Sequence, residues 1–468
     1  MQLDRTILGE GKPGICSASE WNKFARAVNT AWNSRAAGGI KLVKGEPWVF
    51  YKTATSDPPN SGPANGPIYR VFVDRGDGWG YGSTDAPRAI YLAGNFTSYG
   101  GADAPYAARL YKGGAGDTRF SNRFAVLNQF SGWLNMITQT PDGRGIVIGG
   151  SVDRTRNGSG GYGAWILDYD TDDLSIRCAI NEIPSHGIAS GGLADIKCYG
   201  NNIVAINTIE IASYDLTTGA LTSGLSAPNV HNLAGIGSDF LVSGRRVTTL
   251  ELTSPSALHK INSSLGQDSV WAVNGGSGSG VDVFSMAPTQ KQEFNNGTGG
   301  DLVWACVTNE YTGNSFDWNG IAYATGQTCV IVRISSTGEL VSHGGIADVL
   351  LVTRDNSVIG HSPRAELYCV DPDDTLWFGG GVSRLKTLVQ DVAATPQRLY
   401  AYERLTQNVI VYDGFNGPVF DCQWFRKTNA GLDQYIVVGE FTQYRGEDVP
   451  YMVFIDANGN RLTDLEWP

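Results

Sequence analysis

Histidine and methionine are nearly missing from this chain of 468 residues, with five and four copies. The five histidines, His186, His231, His259, His343 and His361, stand alone, without an H-x-H or H-E-x-x-H pair. A metal centre built from sequence-local ligands is therefore excluded, and neither metal nor cofactor is expected. No Gly-x-Ser-x-Gly elbow and no Walker loop occurs, so nucleophilic esterase and nucleotide-binding readings find no support. The seven cysteines (16, 178, 198, 306, 329, 369 and 422) contain no C-x-x-C and are odd in number. They read as buried free thiols of a chain folded in a reducing cytoplasm. Basic residues are outnumbered, giving a net charge of −11 and a pI near 5.0. Nucleic acid is an unsuitable partner, because phosphate binding needs a basic face. There is no run of 18 apolar residues and hence no expected membrane span. The opening MQLDRTILGEGKPG lacks an apolar core, so no secretory signal is expected.

Glycine, by contrast, is abundant at 60 residues, beside 12 Trp, 20 Tyr and 17 Phe. Gly-rich turns between aromatic and β-branched runs point to an all-β fold. One phrase is written twice: GNFTSYGGADAPY at 94–106 and GEFTQYRGEDVPY at 439–451. Both copies follow an apolar strand (AIYLA, YIVV) and run into another (AARLY, MVFI). Internal repetition is the signature of a repeat architecture, and similar first and last units suggest a closed ring. Within the phrase, Phe96 and Phe441 are expected to fill wedges between neighbouring units. Gly94 and Gly439 would allow close backbone approach, and Thr97 and Thr442 would satisfy turn amides.

The pattern Gly-x-Phe-Thr-x-Tyr-x-Gly, then Ala-Arg-Leu and Asp-x-x-Phe, is carried by Gly94, Phe96, Thr97, Tyr99, Gly101, Ala108, Arg109, Leu110, Asp117 and Phe120. It resembles the delta-60 repeat, which forms β-propeller blades. The last copy keeps the first half but has Val453, Phe454 and Ile455 in place of Ala-Arg-Leu. The resemblance covers about a fifth of the chain and implies a fold without a chemistry. Units fall at 68–125, 126–185, 186–226, 227–270, 271–345, 346–412 and 413–465, which gives a seven-bladed β-propeller, with six or eight blades left open. Either segment 40–52 or the C-terminal strand could close the ring by completing the other end's blade.

Residues 1–45 form a separate expected segment, with the propeller spanning 46–468. Ser17-x-x-Glu20 is a capping box, and Trp21, Phe24, Val28 and Trp32 follow at helical spacing on one stripe before Gly38 and Gly39. This amphipathic helix reads as a docking anchor. The segment SASEWNKFARAVN is also similar to the N-terminal segments of tailed-bacteriophage virion proteins.

Acidic runs (Asp168–Asp173 in DYDTDD; Asp371, Asp373 and Asp374 in DPDD) lack the Gly and Glu of a calcium loop and read as solvated turns. Aromatics in polar, Gly-rich surroundings are the better binding candidates: Trp79 and Tyr81, Tyr162, and Tyr311 and Trp318. Taken together, these features describe a non-enzymatic structural protein of a phage virion, on tail, head–tail or capsid surface, made in the host cytoplasm. It would contact other virion proteins through the N-terminal helix and host-surface glycan or protein through the propeller. The helix could also pair with a second copy to give a homo-oligomer. The alternatives are a bacterial carbohydrate- or protein-binding propeller and, third, a propeller hydrolase or lyase using carboxylates.

Overall fold

The computed structural model describes residues from Ala64 to Leu462, without 75–88, 121–130, 169–175, 181–192, 245–257, 289–301, 310–315, 336–341, 354–364 and shorter connections. The chain divides into Met1–Asn60 and Ser61–Pro468, and every described residue belongs to the second unit. The expected helix, with Trp21, Phe24, Val28 and Trp32, and the strand at 40–52 thus lie outside the described residues.

Nearly all described secondary structure is β, arranged as antiparallel sheets that follow one another along the chain. The first sheet contains Ile68–Asp74, Ala89–Gly94 and Ala107–Leu110. The second runs from Ser131–Gln139 to Ile176–Ile180, the third from Leu193–Tyr199 to Leu221–Ser226, and the fourth from Val230–Ile236 to Gln267–Trp271. The fifth begins with Val281–Pro288, the sixth with Ala365–Val370 and the seventh with Val419–Lys427. Their first strands fall one in each expected unit, but the expected boundary between 345 and 346 does not hold: Val349–Thr353, expected in the sixth unit, belongs to the fifth sheet. The fifth sheet is extended to six strands by a hairpin, Arg384–Lys386 and Asp391–Ala393, that belongs in sequence to the sixth. It covers Val349–Thr353, which would otherwise be an open edge.

The first strand of each sheet packs against the first strand of the next, and that of the seventh packs against that of the first. Separate apolar clusters occupy the junctions. Tyr91 and Phe120 meet Leu134 and Ile148 between the first and second sheets. Trp304 and Ile331 meet Phe378 and Tyr400 between the fifth and sixth. Phe425, Ile436 and Phe454 meet Ile90, Leu92 and Phe96 between the seventh and first. Two-sided burial of this kind explains why the second strands (AIYLAG, DQYIVVG) are apolar without alternation.

Gly116 bridges Leu110 in the first sheet, and Arg461 bridges Ile455 in the seventh, where Leu462 N–H also donates to Phe454 O at 2.9 Å.

The repeated phrase proves longer than its sequence match. Asn-Gly-Pro precedes both inner strands, at 65–67 and 416–418. Asn65 Oδ1 accepts from the amides of Thr97 and Ser98 at 2.8 and 3.0 Å, while its Nδ2 donates to Thr97 Oγ1 at 2.9 Å. Asn416 does the same with Thr442 and Gln443, at 2.8, 2.9 and 2.8 Å. The asparagine, not the expected threonine, satisfies the turn amides, because its carbonyl reaches two donors while the threonine hydroxyl holds its amide in place. The glycines and phenylalanines behave as expected. A Cβ on Gly94 would sit 2.2 Å from Pro67 O, and one on Gly439 would sit 2.1 Å from Pro418 O. Phe96 lies in the junction of its sheet with the seventh, and Phe441 in the junction of its sheet with the sixth.

Candidate functional site

An inner strand is the edge of its sheet, so every second N–H faces no ladder partner and needs another acceptor. Each of the seven inner strands also carries a β-bulge: at 69, 135, 194, 231, 284, 368 and 420, the positions skipped in the registers. A bulge re-aims the side chain beside it. In three sheets the residue just past the bulge reaches the next inner strand. Asp421 Oδ2 accepts from Val71 N–H at 3.0 Å, Asp195 Oδ2 from Leu233 N–H at 3.1 Å, and Ser285 Oγ from Leu367 N–H at 3.0 Å. The two aspartates also take their own neighbours' amides, Cys422 at 2.9 Å and Ile196 at 2.8 Å. These are clasps between consecutive sheets, built from chemically different residues at one backbone position.

At the seam between the seventh and first sheets the clasp is reinforced. Arg70 Nη1 donates to Phe420 O at 3.1 Å, and the Tyr69 and Phe420 rings lie 5.5 Å apart. One junction earlier, Tyr368 O–H donates to Val419 O at 2.8 Å. Arg70 remains exposed although protein crowds it. Desolvation works to lower its pKa, but the carboxylates of Asp421, Glu366 and Asp195 outweigh this and hold it above the ordinary value. Those carboxylates come from the seventh, sixth and third inner strands. The third and sixth lie two places from the first on either side, so a group that feels both lies in the space the inner strands enclose. Desolvation raises Asp195, opposed by Lys197, the Ile196 amide and Arg70. Desolvation likewise raises Asp421 to about 6, opposed by Arg70 and the amides of Val71 and Cys422.

The DPDD turn is not simply solvated. Asp371 is buried and accepts from the amides of Asp373 and Thr375, from Trp377 Nε1 at 3.2 Å and from Tyr435 O–H at 2.7 Å. Asp374 pairs with Arg404 and, at 3.3 Å, with Arg333. The turn is a junction device between the fifth, sixth and seventh sheets. Only Asp373 of the three is exposed.

Of the expected binding aromatics, Trp79, Tyr81 and Tyr311 lie outside the described residues. Tyr162 stands in the strand Ser159–Asp168 rather than a loop, opposite Ser151. Trp318 ends the short strand Phe316–Trp318, opposite Val273 in a small separate sheet. The two stand on different sheets. Among the described residues no cluster of three or more metal-ligating groups forms. The axial group Arg70, Asp195, Glu366 and Asp421 escaped sequence reading. The recoverable signal was the Asn-Gly-Pro repeat, which would have aligned Arg70 with Asp421.

No family model matches the chain, and no curated protein matches it. Among solved structures it is similar to BamB from Moraxella catarrhalis, at 13% identity over 83% of this chain and 96% of that one, with a TM-score of 0.35. A chain of a mitotic checkpoint complex gives 10% identity over 88% and 99%, with a TM-score of 0.38. Kluyveromyces lactis Hsv2 gives 10% over 66% and 71%, with a TM-score of 0.35. Likenesses this distant transfer no function.

Proposed function

We propose that this chain is a seven-bladed β-propeller that serves as a non-enzymatic structural component of a tailed-bacteriophage virion. The observation that carries the non-enzymatic part is the employment of the axial acids. Asp421 and Asp195 have the raised pKa values that often mark catalytic groups. Yet both oxygens of each already accept backbone amides, in clasps that hold consecutive blades together. Their perturbation is a by-product of burial at blade junctions. The serial packing of inner strands, with the seventh returning to the first, supports the blade count.

The virion assignment rests on the sequence: the SASEWNKFARAVN segment and the Trp21, Phe24, Val28 and Trp32 stripe. In this reading residues 1–45 dock the protein to the particle, and the ring is displayed to neighbouring virion proteins or the host surface. Deleting residues 1–40 is expected to abolish incorporation into particles while leaving a folded ring. A truncated chain that still assembles onto particles would remove the anchor. A second reading, carbohydrate binding by the ring, is favoured by the extra sheet that carries Trp318. It predicts glycan binding that is lost in Trp318→Ala or Trp79→Ala, and unchanged binding in both would dismiss those residues.

A further inference from the structure

The inner strands of the sixth and seventh sheets carry one cysteine each, Cys369 and Cys422. Cys369 directly follows the bulged Tyr368, and Cys422 comes two residues after the bulged Phe420. The strands pack side by side, and the Tyr368 O–H to Val419 O bond at 2.8 Å fixes their relative height one residue from Cys369. Both cysteines are buried in the apolar cluster of this junction, with Trp377, Tyr435 and Val437 around them. Cys369 lies close enough to Cys422 to push the Cys422 thiol pKa up. Both are reduced in the structure.

Two thiols in one buried cluster between neighbouring inner strands, held at a fixed relative height by the Tyr368–Val419 bond, differ from isolated buried cysteines. We propose that Cys369 and Cys422 form a cross-blade disulfide when the protein meets a small-molecule disulfide, locking the sixth sheet to the seventh beside the ring seam. The inference does not depend on the virion reading. One protein thiol loses its proton to solvent, and its thiolate attacks the small disulfide, forming a mixed disulfide and expelling one small thiolate. The second protein thiol, deprotonated in turn, attacks the protein sulfur of that mixed disulfide, forming the Cys369–Cys422 bond and expelling the second small thiolate. Two electrons pass from the cysteine pair to the small disulfide, which leaves as two thiols. Burial, the partner thiol and the nearby carboxylates of Asp421 and Asp371 disfavour the thiolate. The reaction is accordingly slow at neutral pH and faster at pH 9.

The test incubates the full-length folded protein with oxidised glutathione at pH 7 and pH 9, blocks remaining thiols under denaturing conditions, and maps peptides without reduction. The expected product is a linked pair containing Cys369 and Cys422, accumulating faster at pH 9, with a higher urea midpoint than the reduced protein. In Cys369→Ser the link is absent and Cys422 is recovered blocked or as its glutathione adduct. Recovery of both cysteines of the wild type as separately blocked thiols or glutathione adducts would overturn the proposal. So would linkage of either to a different cysteine.

Discussion

Replacing Asp421 by asparagine removes the charge from the seam clasp while keeping a carbonyl oxygen for Val71 N–H. Asp421 is 4% exposed, and its pKa stands at about 6 against an ordinary 3.8. A carboxyl raised in this way binds its proton more tightly in the folded than in the unfolded chain. Its contribution to stability is therefore fully present below pH 3.8 and is lost as pH rises through about 6. At about 1.36 kcal/mol per pKa unit, the displacement corresponds to about 3 kcal/mol across that window. Asparagine does not titrate and lacks this dependence. The assay is urea unfolding of wild type and Asp421→Asn at pH 4 and pH 7. The wild type is expected to lose about 2.4 kcal/mol relative to the variant between the two values, because part of the loss has already occurred at pH 4. Other buried carboxyls, including Asp195 and Asp371, are common to both proteins and cancel in the difference. A wild-type-minus-variant difference that stays constant with pH, or moves in the wild type's favour as pH rises, would refute the reasoning. Asp421→Ala is the control for the clasp itself. It strands the Val71 amide, which the asparagine carbonyl still satisfies, and should destabilise relative to Asp421→Asn by about 1–3 kcal/mol.

Gly94→Ala and Gly439→Ala each drive a Cβ to within 2.2 or 2.1 Å of a proline carbonyl, so each should cost about 3 kcal/mol or more, read as a fall in thermal midpoint. Asn416→Ala removes the acceptor for two turn amides and should destabilise by about 1 kcal/mol, more than Thr442→Ala, whose hydroxyl only steadies the asparagine. Tyr435→Phe deletes a 2.7 Å bond to buried Asp371 and should cost about 2 kcal/mol. Because that bond opposes the rise that desolvation imposes on the Asp371 carboxyl, the loss should be larger at pH 8 than at pH 4.

The all-β class was legible because strand and turn signals alternate along the chain, and because the phrase around Phe96 and Phe441 survives in two copies. The Asn-Gly-Pro half of that repeat went unread. The first copy carries a longer connection between its inner and second strands, so the two halves do not align at one offset. The clasps were hidden for a different reason. Arg70, Met136, Asp195, Asn232, Ser285, Cys369 and Asp421 share a position just past a bulge, yet only the two aspartates among them are alike. A bulge is a property of backbone register, which side-chain identity does not report. The acid turn at Asp371 misled because composition shows polarity, not burial. Three of its four donors, the Asp373 and Thr375 amides and Trp377 Nε1, come from its own sheet, and the fourth, Tyr435 O–H, arrives only when the seventh sheet packs against it.

The most direct test of the proposed role is quantitative mass spectrometry of intact particles banded by density from a lysate of the source culture. The account predicts this chain in fixed proportion to the major capsid protein, with a copy number that assigns it to tail or capsid. Absence from purified particles, with the chain recovered in a cell-envelope fraction, would contradict it.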